Sequence, residues 1–168
     1  WTGVCTVANL WNCAIKHATS DWVVPCPIDD RLTPQALRDI PAADDAGAEL
    51  LVDAVQFKNS GEVWQGTWVP RLMGMTMTLP TFAPFKRSLA ERIPDPFPQI
   101  YYSDWGFYMR CVHAGVQTYQ GSTVRMIYND TLGIGRESDM GVERKREVDM
   151  QARMFAQALG LTVAPVAP

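Results

Sequence analysis

The stretch DWVVPCPIDDRLTPQAL, residues 21–37, restricts the folds open to this chain more than any other. Trp22, Val23 and Val24 form a continuously apolar run. Such a run predicts a short strand buried on both faces, of the parallel kind that follows a helix. Pro25 and Pro27 cannot donate to a sheet ladder, so the strand stops there. Asp29 and Asp30 come next. Thr33 is a good helix cap and Pro34 is tolerated at a first helical position, which predicts a short helix from Pro34 that Pro41 ends. Strand, acidic turn and helix in this order form part of an α/β unit, where ligands bind beyond the carboxyl ends of strands.

The flanking pattern agrees. Val4, Val7, Ala8, Trp11, Ile15 and Ala18 recur at helical spacing and predict a helix over 4–18, with Asn9, Asn12 and Lys16 off the apolar stripe. AADDAGAE reads as a solvated connection, Leu50 to Phe57 as a strand, and NSG after it as a turn. Thr67 to Met77 reads as loop and strand, with Met73, Met75 and Met77 filling one face. Prolines 80, 84, 94, 96 and 98 leave room for only a short helix between Pro84 and Ile93. Trp105, Tyr108, Met109 and Val112 predict a helix that Gly115 stops. VQTYQGSTVRMIYN resumes strand character, residues 136–147 read as a mobile polar segment, and Val148, Ala152, Phe155 and Leu159 predict a closing helix ended by Gly160. The class is α/β.

Composition narrows the function. The 168 residues show no internal repeat, which predicts one domain over 1–168, with 139–168 as its C-terminal helix and tail. A formal net charge of -3 gives no basic surface for nucleic acid. No apolar run approaches the ~20 residues of a transmembrane segment. Cys5, Cys13, Cys26 and Cys111 show no CxxC pairing and read as free thiols of a cytoplasmic protein. His17 and His113 are too far apart in sequence for a His-rich metal motif. The chain opens at Trp1 directly into a helical pattern, as a fragment or a trimmed sequence would.

Adjacent carboxylates at a strand end can hold a hard divalent cation, Mn²⁺ or Mg²⁺, and the cation can hold phosphate oxygens. The same pair can simply favour the N-terminus of the next helix. Spacing alone leaves both open.

The stretch from Gly3 to Leu37 resembles family 2 glycosyltransferases of the GT-A fold, in the segment that runs into the DxD motif. The likeness lies in Ala8-Asn9 in a small-residue helix, Ser20-Asp21, the apolar run 22–24, Asp29-Asp30, and Leu32-Thr33-Pro34-Gln35-Ala36-Leu37. FPQIYYSDWGFYMRCVHAG is similar to the family's acidic helix start, matching at Asp104, Phe107, Arg110 and Gly115. Between them, residues 66–93 resemble the region that builds the acceptor side. The resemblance covers roughly residues 3–133 and implies a Rossmann-like mixed sheet flanked by helices, lacking the first strand, helix and strand of the fold.

That resemblance implies an inverting, metal-dependent transfer of a sugar from a nucleotide-sugar donor to a hydroxyl-bearing acceptor. Asp104 is the general base. Asp29 and Asp30 hold the cation, and Asn9, Ser103, Arg110 and Trp68 are substrate-binding positions. The chain departs from the pattern where Pro27 replaces the first Asp of DxD, where Ser103 and Gly106 replace acidic residues around Asp104, and near Tyr128 or Asn129, where the family's metal-binding His is missing.

Several residues carry a plainer reading beside the functional one. Asp104 can cap its helix. Trp64 and Trp68 can stack on a sugar or pack in the core. Trp105, Tyr108 and His113 read as structural. Arg136, Arg144, Lys145 and Arg146 can close over phosphates or form a solvated face with Glu143 and Glu147. Two other functions compete: a non-catalytic relic of the fold that binds sugar, nucleotide or protein, and a generic metal-dependent phosphate-binding domain. An open sheet edge would favour a homo-oligomer.

Overall fold

A computed structural model describes residues 6–80, 83–129 and 141–163. Six strands form one sheet: β1 (Trp22–Val23), β2 (Arg31–Leu32), β3 (Leu50–Phe57), β4 (Val63–Gln65), β5 (Phe85–Lys86) and β6 (Thr118–Tyr128). Their order is β1-β5-β3-β6-β2, with β4 also paired to β3. Among the described residues only β3 and β6 run parallel; the other pairings are antiparallel. Helices α1 (Val7–His17), α2 (Ile40–Asp45), α3 (Leu89–Arg92), α4 (Ser103–His113) and α5 (Val142–Ala158) flank the sheet. This is the mixed α/β class that the sequence predicts.

β3 is central because both its faces are covered. Leu50 and Val52 join the main core with residues of α1, α4 and α5, while Leu51 packs with Ala43 and Ala48 on the α2 side. In the main core Phe85 and Phe97 each lie 4.9 Å from the Phe107 ring. Each fully buried ring contributes about 1.5–3 kcal/mol by leaving water. Asn12, off the apolar stripe of α1, is nevertheless buried: its Nδ2 donates to the Phe97 carbonyl at 2.7 Å and its Oδ1 accepts the Phe97 N–H at 2.9 Å. It pairs with both backbone groups of Phe97 in the loop. The start of α1 is fixed by Thr6, whose hydroxyl oxygen accepts the Asn9 N–H at 3.1 Å.

Four local readings are corrected. β1 lies antiparallel to β5, because its two residues can pair only with the short strand beside them. Residues 34–39 form turns, and the helix begins at Ile40 with Pro41 in its first turn, where a missing N–H costs nothing. Met73 to Met77 do not form a strand: a one-turn 3-10 helix at Pro70–Leu72 precedes them, with Met73 fully buried and Met75 37% exposed. The polar run 142–147 is the first part of α5.

β6 carries extra residues against β3. Val52 pairs with Gln120 but Ala54 with Val124, and Val55 with Met126, so the strand bulges at 121–123 and again at Arg125. Asp39 holds the first bulge, its Oδ2 accepting the N–H groups of Ser122 at 2.8 Å and Thr123 at 3.0 Å. A Cβ at position 121 would stand 2.7 Å from that oxygen, so the approach needs Gly121.

Candidate functional site

The acidic loop closes over the end of β6. Asp30 N–H donates to the Pro27 carbonyl at 3.2 Å, a tight turn that leaves Ile28 in solvent. Asp30 Oδ1 accepts the Asn129 backbone N–H at 2.8 Å. Its Oδ2 is buried and has no hydrogen-bond partner among the described residues. Burial pushes the Asp30 carboxyl above the usual range, with the Asn129 N–H opposing and the neighbouring Asp29 adding to the rise. Asp29 itself is exposed.

Beneath the loop lies an ion pair. Arg125 is 0% exposed and Asp53 1%. Arg125 Nε donates to Asp53 Oδ2 at 2.7 Å, and Nη1 donates to the Pro25 carbonyl at 3.3 Å. One guanidinium therefore ties the sheet centre to the stem of the acidic loop. Burial raises the Asp53 carboxyl from 3.8 to about 6, against the opposing pull of Arg125. The folded protein thus binds this proton more tightly than the unfolded chain. The resulting stability is fully present below about 4 and is lost as the pH rises through about 6. The expected size is about 1–3 kcal/mol. Thermal melts of wild type and Asp53→Asn between these values check it: the slope disappears in the variant, and a slope that persists refutes the assignment to Asp53.

Asp104 is the second residue of α4. The cap position belongs to Tyr102, whose side chain makes no capping bond, so Asp104 is not the helix cap. A short connection through Gly115, at φ 64°, reverses the chain from α4 into β6. The start of α4 therefore lies toward the end of β6, the side of the sheet that carries Asp29 and Asp30. Further along α4 the Tyr108 hydroxyl is buried. It donates to the Pro80 carbonyl at 2.7 Å and accepts the Ala83 N–H at 2.8 Å. Burial holds its pKa well up, and the charges of Asp104, Arg125 and Asp53 all act on it.

At the start of α4 opens a cleft of about 360 Å³, lined by Trp64, Tyr102 and Trp105 together with Lys145, Asp149 and Arg153 of α5. Trp105 is fixed by its indole N–H, which donates to the Met73 carbonyl at 2.7 Å.

The remaining sequence candidates divide. Ser103 is buried at the start of α4, next to Asp104. Asn9 accepts a hydrogen bond from Gln99 at 2.6 Å, on the surface. Arg110, nearly two turns along α4 from Asp104, donates to the Pro94 and Asp95 carbonyls and stacks over Phe155 at 5.4 Å. It serves the fold there. Trp68 packs against the main core, while Trp64 reaches the cleft. Trp105, read as structural, does both. Tyr108 is a core residue, and His113 bonds the Leu159 carbonyl at 3.1 Å, both as expected. Arg144 pairs with Glu147 at 2.6 Å on an exposed helix face, and Lys145 lines the cleft. Arg136 lies outside the described residues. Position 106 admits no side chain: a Cβ there would meet Pro98 at 2.3 Å. Among the described residues no three His, Cys, Asp or Glu side chains gather as a metal site.

Sequence reasoning missed the Arg125–Asp53 pair. Its signal was a carboxylate inside the apolar strand LLVDAV, which cannot be buried without a partner. It also missed Lys145, Asp149 and Arg153 as one cleft wall, although their spacing of four puts them on one helix face.

No protein-family model matches the chain, and no curated protein sequence matches it. Solved structures do. S. aureus TarS, a staphylococcal teichoic acid glycosyltransferase, is 15% identical in its 1–349 structure, with a TM-score of 0.54 over 73% of this chain and 40% of that one. A longer TarS structure is 15% identical, with a TM-score of 0.50 over 72% of this chain and 24% of that one. The chain thus spans well under half the length of the proteins it resembles. No helix among the described residues is long and apolar enough to cross a membrane. What the likeness establishes is the fold: a curled mixed sheet flanked by helices, as in those structures.

Proposed function

We propose that this chain transfers a sugar from a nucleoside-diphosphate donor to a hydroxyl acceptor. The observation that supports the reading is one of chain direction: α4 starts toward the end of β6, the strand whose end also anchors the acidic loop. The Asp29-Asp30 loop is anchored to the end of β6 through Asn129, and Asp104 lies in the first turn of α4.

In this reading Asp104 accepts the proton of the acceptor hydroxyl as its oxygen attacks the sugar carbon. The bond between that carbon and the diphosphate oxygen breaks, and configuration inverts. The positive end of α4 favours the ionised base. Asp30 and Asp29 would hold a divalent cation, Mn²⁺ or Mg²⁺. The buried Asp30 Oδ2 suits this, since it has no hydrogen-bond partner among the described residues and one or two carboxylates suffice when phosphates complete the shell. When bound, the cation supplies charge neutralisation for the leaving diphosphate. Arg125 holds the loop that presents both carboxylates.

A second reading, a binding module without turnover, draws on Pro27 and Ser103 at acidic positions and on the missing third ligand among the described residues. Calorimetry separates the two. We expect uridine and guanosine diphosphates to bind more tightly with Mn²⁺ than without it, and Asp30→Asn to remove the metal-dependent part. Absence of heat across the nucleoside diphosphates, with or without Mn²⁺, favours the binding module.

A further inference from the structure

We propose that Asp39 is a positioning residue: by holding the first bulge of β6 it sets where that strand presents the acidic loop, and so where Asp30 stands. The inference rests on the transfer reading only for the cation that Asp30 would hold. The coupling of Asp39 to the loop rests on the hydrogen bonds.

The acidic loop and the segment after it are laced to one strand. Asp30 Oδ1 accepts the Asn129 N–H, Arg31 and Leu32 of β2 pair with Ile127 and Met126, and Arg125 Nη1 donates to the Pro25 carbonyl. Thr33 adds two bonds, its N–H donating to the Arg125 carbonyl at 2.8 Å and its hydroxyl to the Val124 carbonyl at 2.7 Å. All of these partners on β6 lie at 124–129, beyond the bulge at 121–123. β2 has only two residues, too few to fix a register alone. The course of β6 fixes it, and that course is decided at the bulge. A slip of one residue there turns every side chain beyond it to the other face of the sheet, and Arg125 leaves Asp53.

Asp39 stands where an aspartate ordinarily caps a helix, at the N-cap of α2, yet its side chain makes no capping bond. Its Oδ2 accepts the Ser122 and Thr123 N–H groups instead, and the Thr123 hydroxyl bonds the same carboxylate. Burial pushes this carboxyl up, but those three hydrogen bonds outweigh it and hold the pKa below the usual range. Residues 121–123 have no register partner on β3, so Asp39 supplies what the ladder does not. Gly121 makes the same demand from the strand side. A Cβ there would stand 2.7 Å from Asp39 Oδ2 and 3.0 Å from Leu51 Cδ1. Alanine at 121 therefore pushes the carboxylate off the bulge while leaving every residue of the acidic loop in place.

Backbone amide exchange followed by NMR, with calorimetry beside it, tests this on the whole chain. In Asp39→Ala the N–H groups of Thr33 and Asn129 exchange about tenfold faster relative to the Phe97 N–H, which Asn12 holds in the main core. Gly121→Ala gives the same local change, and the double variant adds little to either. Asp39→Asn, which keeps an acceptor oxygen for the two N–H groups, restores most of the protection. Uridine and guanosine diphosphates bind Asp39→Ala about 10–100-fold more weakly in the presence of Mn²⁺, the usual loss when a group that orients a metal ligand is removed. Protection that falls by one common factor at Thr33, Asn129 and Phe97 overturns the proposal, since Asp39 then only supports the fold. Undisturbed exchange at Thr33 and Asn129 in both Asp39→Ala and Gly121→Ala overturns it too. Local loosening in a chain whose wild type binds no nucleoside diphosphate with Mn²⁺ keeps the coupling and counts against the transfer reading. Mn²⁺-dependent binding that is intact in Asp39→Ala overturns the positioning role and leaves the transfer reading standing.

Discussion

Asp104→Asn lowers the rate of sugar transfer by about 10²–10⁴-fold, the usual contribution of a general base. Asparagine has nearly the same shape but no basicity at the oxygen that must take the acceptor proton. The fold is nearly indifferent to the change, because the cap position of α4 is Tyr102 and asparagine keeps the shape and an acceptor oxygen, giving up the charge that complements the helix dipole. That term is about 0.3–1 kcal/mol, or about 1–4 °C in melting temperature for a chain of this size. Initial rates of transfer and a thermal melt on the same preparations check both halves. Transfer at the full rate in Asp104→Asn removes Asp104 as the base whatever the fold.

Arg125→Ala and Asp53→Ala each destabilise the protein by about 3–5 kcal/mol, because each removes one partner of a buried ion pair. The pair itself need not be strongly stabilising. Burial outweighs Arg125 in setting the Asp53 carboxyl near 6, so desolvation exceeds the attraction. The double change Asp53→Leu with Arg125→Met therefore recovers most of the lost stability. It does not recover the donor to the Pro25 carbonyl, which only the guanidinium supplies. Nucleotide binding in the presence of Mn²⁺ stays weakened in the double variant while denaturant midpoints return toward wild type. Binding that returns together with stability shows that Arg125 does nothing for the loop beyond holding the core.

The fold was readable where a single physical rule governs a segment. Leu50 to Phe57 announces a strand covered on both faces, and Gly115 stops α4 where expected, because periodicity and punctuation are local properties. Pairing direction is not local. Trp22 to Val24 reads the same whether its neighbour runs with it or against it, and the neighbour proved to be Phe85–Lys86. Pro41 has two opposite meanings, helix breaker and first-turn residue, and only the turns at 34–39 decide between them. The site divides in the same way. Asp29, Asp30 and Asp104 stand out by motif. Arg125 does not, because it is itself an extra residue of a bulge and so escapes the alternation that tells inside from outside. The cleft needed three distant segments to meet, and no spacing in the chain encodes that.

The parallel pairing of β3 with β6 also dictates an order of assembly. β3 can close quickly onto β4 through the turn at 58–62, and onto β5 soon after. Its longest partner begins only at Thr118, and parallel strands cannot be joined by a hairpin. Closing that large loop is entropically slow. In a chain made from its N-terminus, the apolar run Leu50 to Val55 has one edge unpaired until Tyr128 has been added. During that interval it is a β-prone segment with a single charge, the kind that seeds aggregation or engages a holding chaperone. Asp53, the residue that later meets Arg125, is that charge: before it anchors the finished core, it guards the nascent strand.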